Sequence, residues 1–359
     1  MTSTALIVTD DLAITDGLQR LAAAADAKAE IARGADEARA AWHWPGLVLV
    51  GLDLVEELAA AALPRRPAVV LVTKAGDTTD IYRKAMEIGA QDVAVLPDDE
   101  GWLIDALAAS TEPSDGWGTT VCVVGACGGA GASAFATALG LTASRAGAQT
   151  LLIDGDRFGG GLDLLLGLEQ QEGARWPDLA ERRGRLSAAT LREALPRTGE
   201  LSVLSWRRGE PVPVTQEAVL SLLDAAVRGF DLVVVDVPRY PDETGRSALR
   251  AADVTYLAVP AEVRATVAAD GLSAALRRET SDLRLVVRGP APGGLTPEVV
   301  AKALDMPLTG VFERDRRFPT AIEEGDLGRV TRRGPLTDLC ADLIADLLPQ
   351  LVTQRLEAA

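Results

Sequence analysis

The nine residues Gly125-Ala126-Cys127-Gly128-Gly129-Ala130-Gly131-Ala132-Ser133 have the types and spacing to hold a phosphate group. Glycines let several backbone amides converge on one anion without side-chain obstruction. A strand-like run, Thr119 to Val124, leads into the loop, and a helix-like run, Ser133 to Ala146, leads out. In that context a helix N-terminus faces the bound anion. Ser133 stands where a hydroxyl would reach a magnesium ion. Such loops usually place lysine just before that hydroxyl, and here the residue is Ala132. The side-chain charge that would grip the outer phosphates is therefore missing. Cys127 reads either as a small filler or as a reactive thiol near a helix N-terminus. Asp154, Asp156 and Asp236 follow apolar runs at the C-terminal edge of the expected sheet. They either cap strand ends or belong to the same site as the loop.

The elements that must position these groups are legible as buried strands alternating with helices. In the first third, strands are expected at residues 4–9, 47–50, 68–72 and 92–96, with helices from about Ile14 to Ala25 and Asp77 to Ile88. Continuous apolar runs separated by helices indicate a parallel sheet covered on both faces. From Thr119 onward, strands are expected at Thr120–Val124, Thr150–Ile153, Leu201–Leu204, Leu232–Val235, Val254–Val259, Leu283–Val287 and Leu308–Val311. The fold class is α/β. The expected organisation is a small doubly wound domain over 1–110, a linker at 111–118, and a second, mostly parallel α/β domain over 119–359.

Composition narrows the function classes. The chain has 359 residues, 48% hydrophobic and 25% charged, an ordinary balance with ample material for a core. A net charge of −16 argues against a nucleic-acid coat and against anionic membrane surfaces. Residues 1–110 carry 18 acidic and 9 basic side chains, so over half of that excess lies in the first third. Cys122, Cys127 and Cys340 give neither a disulfide framework nor a zinc motif, and His43 is the only histidine. The start of the chain lacks a signal-peptide pattern, and no apolar run approaches a membrane span, so a cytoplasmic location is expected. Residues 338–359 hold four acids and one base, which argues against direct lipid binding by that tail. Leu336, Leu339, Cys340, Leu343 and Leu347 recur at helical spacing and read as core. The arginines at 314, 316, 317, 329, 332 and 333 are interleaved with acids and read as a solvated face, not a DNA patch.

The first domain resembles the receiver domain of response regulators. Asp10 and Asp11 match that family's acidic pair, and Thr73 matches its hydroxyl after the fourth strand. In Pro45-Gly46-Leu47-Val48-Leu49-Val50-Gly51, however, Gly51 falls at the phosphoacceptor position, and Asp53 lies two residues outside the register. The family's Lys-Pro after the fifth strand reads Leu96-Pro97. The resemblance implies a pseudo-receiver used for docking or dimerisation, with Asp10 and Asp11 serving as loop acids or a helix N-cap.

The second domain resembles the MinD/ParA group of deviant-Walker ATPases, which carries Lys-Gly-Gly-x-Gly-Lys-Ser/Thr. Here that segment reads Cys127-Gly128-Gly129-Ala130-Gly131-Ala132-Ser133, without either lysine. Asp154-Gly155-Asp156, continuing through Gly161-Leu162-Asp163 to Gly167, resembles the family's switch segment. Phe230-Asp231 through Asp236-Val237-Pro238 resembles its Walker B strand. The resemblance implies ATP and Mg2+ as cofactors, bound by Gly125, Gly128, Gly129, Ala130, Gly131, Ala132, Ser133, Asp154 and Asp236. It implies Ser133 and Asp236 in the magnesium shell and Asp156 positioning the attacking water. The family's purine-reading asparagine is absent, and Arg288-Gly289-Pro290 stands there.

Together the two halves resemble CpaE/TadZ proteins and actinobacterial septum-site-determining proteins. The layout implies a spatial regulator of cell division, or of Tad/Flp pilus machinery, at a cell pole or septum. It would act as a homodimer with protein partners, without a specific nucleic acid or direct membrane insertion, and with weak or no ATP hydrolysis. Two alternatives remain open. One is an active ATPase whose missing lysines are replaced by another group, such as a nearby arginine. The other is a metabolic P-loop enzyme, although a reductase would need a cysteine pair to hold a shared cluster.

Overall fold

The computed structural model describes residues 4–42, 45–61, 63–64, 66, 68–76, 80–111, 118–180, 186–209, 213–290, 293 and 295–349. His43, Asp77, residues 112–117 of the expected linker, and Arg355 and Glu357 of the tail lie outside these. The chain divides into two compact units, one of residues 1–115 together with 183–189, the other of residues 116–182 together with 190–359.

The first unit is a parallel five-stranded sheet of β1 (Thr4–Val8), β2 (Lys28–Ala32), β3 (Leu47–Gly51), β4 (Val69–Lys74) and β5 (Asp92–Leu96), in the order β2-β1-β3-β4-β5. Successive side chains of a strand point to opposite faces. Ala5, Ile7, Leu47 and Leu49 therefore meet Leu18, Leu103 and Leu107 on one face. Leu6, Val8, Val48 and Val50 meet Ala38, Trp42 and Leu58 on the other. Burial on both faces is why these strands read as unbroken Val/Leu runs. Two expectations change. β2 was not anticipated, because Lys28-Ala-Glu-Ile-Ala is an edge strand with alternating exposure. Thr111, the first residue of the expected linker, instead ends the helix Glu100–Thr111. Ser110 is buried and its hydroxyl bonds the Leu107 carbonyl, so the helix runs to the end of its apolar face.

The second unit is an eight-stranded sheet of β6 (Thr119–Gly125), β7 (Thr150–Asp154), β8 (Arg197–Thr198), β9 (Leu201–Leu204), β10 (Leu232–Val237), β11 (Val254–Pro260), β12 (Leu283–Gly289) and β13 (Leu308–Glu313). The order is β13-β12-β11-β6-β10-β7-β9-β8, and only the two-residue β8 runs antiparallel. The helix Ala132–Arg145 buries Phe135, Ala136, Ala138 and Leu139 in a core with Val121, Val123, Leu152, Val234 and Tyr256. Phe135 makes an edge contact with Tyr256 and stacks on Phe312. Leu336, Leu339, Cys340 and Leu343 join the same core from the helix Pro335–Leu347. After β6 the chain passes to β7, β8 and β9 on one side, returns to place β10 between β6 and β7, and then crosses to the other side of β6 for β11, β12 and β13. Such a reversal opens a crevice at the C-terminal ends of the central strands. Among the described residues no helix is long and apolar enough to cross a membrane.

Candidate functional site

The loop after β6 keeps the backbone of a phosphate cradle. Gly129 and Gly131 take φ of +71° and +92°, conformations that favour glycine. Space beyond Gly128 and Gly129 is open, because a Cβ on either would meet nothing within 4 Å. Ala126 donates to the Ala258 carbonyl, and Ala130 to that of Cys127. Among the described residues, the amides of Gly128, Gly129, Gly131, Ala132 and Ser133 donate to no backbone acceptor. These are orphan donors at the start of the helix Ala132–Arg145, the groups an anion satisfies. Ala132 and Cys127 bring no charge to them.

The acidic groups converge from two neighbouring strands. Asp154 on β7 and Asp236 on β10 are register partners, and Asp236 is also the partner of Val123 on β6, two residues before the loop. Both carboxylates are buried. Burial raises Asp236 to about 7, the Ser133 hydroxyl pulls it back, and the charges of Asp154 and Asp156 push it further up. Asp154 is raised to about 6, again chiefly by burial. It is better partnered, accepting from Asp156 N, Leu162 N and Ser205 Oγ at 3.0–3.1 Å. Asp156 turns back on its own loop, and its carboxylate accepts from Phe158 N at 3.1 Å. Among the described residues no group of three or more His, Cys, Asp or Glu side chains could cage a metal. Ser133 and Asp236, whose side chains interact, could offer oxygens to a magnesium ion that keeps its waters, the usual way this ion is held.

A layer behind these carboxylates has no motif in the sequence. Trp176 and Trp206 stack at 5.3 Å, and both indoles donate to the Asp154 carbonyl, at 2.7 and 3.0 Å. Ser205 hydrogen-bonds Asp154 and Asp163 together. Asp163 is fully buried and accepts two bonds from Arg208, at 3.1 and 2.9 Å, with Arg175 at 3.7 Å. The segment between Asp154 and Asp163 is thus pinned at both ends. Gly155 ties it to β10, donating to the Asp236 carbonyl at 2.9 Å. A Cβ on Gly155 would stand 2.6 Å from that oxygen, so only glycine allows the approach.

The strand ends of the first unit differ from an open acidic pocket. A Cβ on Gly51 would lie 2.2 Å from Asp53 Oδ1 and 2.4 Å from Thr9 Oγ1. Asp53 therefore folds back into the space that a side chain at 51 would fill, held by the Thr9 hydroxyl at 2.7 Å and Asp10 N at 2.8 Å. Asp11 caps the helix Leu12–Ala24. Lys74, at the end of β4, bonds to it at 2.5 Å and holds its carboxyl below the usual range. Leu96, not a lysine, stands immediately before Pro97, and this lysine beside Thr73 went unremarked. Asp10 faces Arg33 at 3.4 Å.

Residues 8–118 match the family described as "Rv3660c-like, CheY-like N-terminal domain", and residues 119–274 match that of the cellulose biosynthesis protein BcsQ. The uncharacterized protein Rv3660c of Mycobacterium tuberculosis is 38% identical over 345 residues, covering 95% of this chain and 96% of that protein. A putative septum site-determining protein MinD of Emiliania huxleyi is 26% identical over 206 residues, covering 55% of this chain and 75% of that protein. The chain belongs to the family of Rv3660c. Solved MinD/ParA structures share the fold of its second unit. A ParA family ATPase from Chlorobium tepidum has a TM-score of 0.56 at 18% identity, covering 63% of this chain and 98% of its own. The Aquifex aeolicus MinC:MinD complex gives 0.53 at 20%, covering 63% and 96%. This member of the Rv3660c family thus joins a CheY-like domain to a MinD/ParA-like P-loop domain.

Proposed function

We propose that this chain is a spatial regulator of the septum-site or partition type, which marks a place in the cell by dimerising and binding protein partners. It binds ATP with Mg2+ weakly and hydrolyses it little or not at all. The partners belong to the division machinery or, as in CpaE/TadZ proteins, to Tad/Flp pili, and they bring it to a septum or pole. Relatives named septum site-determining proteins support the class. A MinD of Pyrococcus horikoshii of the same fold is complexed with Mg-ADP (TM-score 0.50). For this chain, the free amides, the open space over Gly128 and Gly129, and an under-partnered buried Asp236 fit a nucleotide's phosphates and magnesium. The missing lysine at 132 removes a charge-assisted contact of about 1.5–3 kcal/mol, a loss of roughly ten- to hundredfold in affinity. Phosphoryl transfer depends on positioned positive charge, so turnover suffers more than binding.

The observation that carries the reading is the pair of loops after β7 and β10, on one side of the cradle. Each presents an exposed aromatic ring covered by an arginine. Arg157 lies 4.7 Å over Phe158, and Arg239 lies 4.6 Å over Tyr240. The rings are 73% and 79% exposed, and Arg157 faces Asp242 across the two loops at 4.0 Å. Exposed aromatic and arginine side chains grouped in this way are the residue types that anchor interfaces. The expected result is a homodimer whose formation depends only modestly on ATP, and which shifts to monomer on Phe158→Ala/Tyr240→Ala. Sedimentation over a concentration series, with and without nucleotide, checks this. A strict monomer in all conditions refutes the dimer.

A second reading, an active ATPase with an unusual phosphate-loop cation, is favoured by one observation: an arginine from β12 reaches the loop.

A further inference from the structure

Arg288 leaves the end of β12 and crosses to the phosphate loop, where its Nη1 donates to the Gly129 carbonyl at 2.7 Å. Its Cδ passes 3.7 Å from where a Cβ on Gly131 would stand, and a ring carbon of Phe312 lies 3.5 Å from the same point. Phe312 is the register partner of Arg288 on β13 and is itself buried, so a fixed ring lies beside the arginine stem. The side chain thus passes over the residue immediately before Ala132. A guanidinium has five N–H donors, and the bond to Gly129 uses one. Among the described residues Arg288 has no carboxylate partner. By contrast, Arg157 pairs with Asp242, and Arg175 and Arg208 pair with Asp163. A guanidinium with donors to spare, held beside unpaired loop amides, matches phosphate oxygens in both charge and geometry.

We propose that Arg288 is the phosphate-gripping cation of this site, supplied from β12 in place of the lysine absent at Ala132. The inference rests on the nucleotide reading above and names the group that keeps binding from being lost altogether. Its ligand is the polyphosphate of a nucleoside di- or triphosphate. The planar fork holds the loop carbonyl with one edge and presents the other to the phosphates.

Equilibrium dialysis of the full chain against ATP, and separately against inorganic tripolyphosphate, tests it. Arg288→Ala is expected to weaken both by about ten- to hundredfold, with Arg288→Lys recovering part of the loss. The salt dependence of ATP binding should become shallower in the alanine variant. Equal ATP affinity in the wild type and Arg288→Ala overturns the role of the arginine and leaves the nucleotide reading standing. Tighter binding by Arg288→Ala also overturns it and makes Arg288 a latch across an empty loop. Loss of ATP without loss of tripolyphosphate assigns the arginine to the base and overturns it as well. A wild-type chain that binds neither probe overturns the nucleotide reading together with the arginine.

Discussion

Asp163→Ala is expected to cost about 3 kcal/mol of folding stability. The carboxylate is fully buried and holds Arg208 through two hydrogen bonds, Arg175 at 3.7 Å and the Ser205 hydroxyl. Removing one member of a buried ion network leaves charge without compensation, typically about 3–5 kcal/mol. The lower end applies here for two reasons. Arg208 is half exposed and can turn to water, and Arg175 keeps carbonyl acceptors at Gly173, Ala174, Leu168 and Gln171. At roughly 2–4 °C per kcal/mol for a domain of this size, the midpoint falls by about 6–12 °C. Urea unfolding at neutral pH measures the loss directly. A loss below about 1 kcal/mol means the network does not hold the switch segment.

The opposite sign is expected at Asp236. Its carboxyl stands at about 7 against 3.8 for an ordinary aspartate, with burial as the main cause. Between about pH 4 and 7 the folded chain therefore binds more protons here than the unfolded chain, so stability falls as pH rises through that window. Above pH 7 both forms are ionised and the whole penalty is present. About three pH units correspond to about 4 kcal/mol, part of which is shared with its charged neighbour Asp154. Asp236→Asn is thus expected to stabilise the nucleotide-free protein by about 2 kcal/mol at pH 8 and to flatten the fall in stability between pH 5 and 8. Magnesium should stabilise the wild type at pH 8 and leave the asparagine variant unchanged. Thermal melts across pH, with and without magnesium, decide the matter. A variant less stable than the wild type at pH 8, with the same pH slope, removes the buried-charge account of this aspartate.

The fold was legible where burial is two-sided. β3, β4, β6, β7 and β10 are Val/Leu runs because both faces are covered, and turns or helices bound each run. β2 escaped notice because an edge strand carrying Lys28 and Glu30 has no such run, and β8 because two residues carry no period. The place of Asp154 beside Asp236 was legible in outline, since both end apolar runs that belong in one parallel sheet. The layer behind them was not. Trp176, Ser205, Trp206 and Arg208 come 22 to 54 residues after Asp154, and nothing in their spacing announces that they meet there. Arg288 was visible only as a departure from the family's asparagine. Its path over Gly131 depends on how β12 lies two strands from the loop in the folded sheet. In the first unit, Asp53 looked out of register with the acceptor position. The fold turns its carboxylate back into the space that Gly51 leaves free.

The central claim is a nucleotide seat that binds without turning over: Arg288 restores a grip on the phosphates, and nothing stands in for the lysine missing at 127. Its most direct measurement is incubation of the full chain with radiolabelled ATP and magnesium, followed by separation of ATP from ADP. ATP recovered intact, to the same extent as from an Asp156→Ala variant, is the predicted result. ADP that accumulates with the wild type and not with Asp156→Ala would contradict the account and establish a working ATPase.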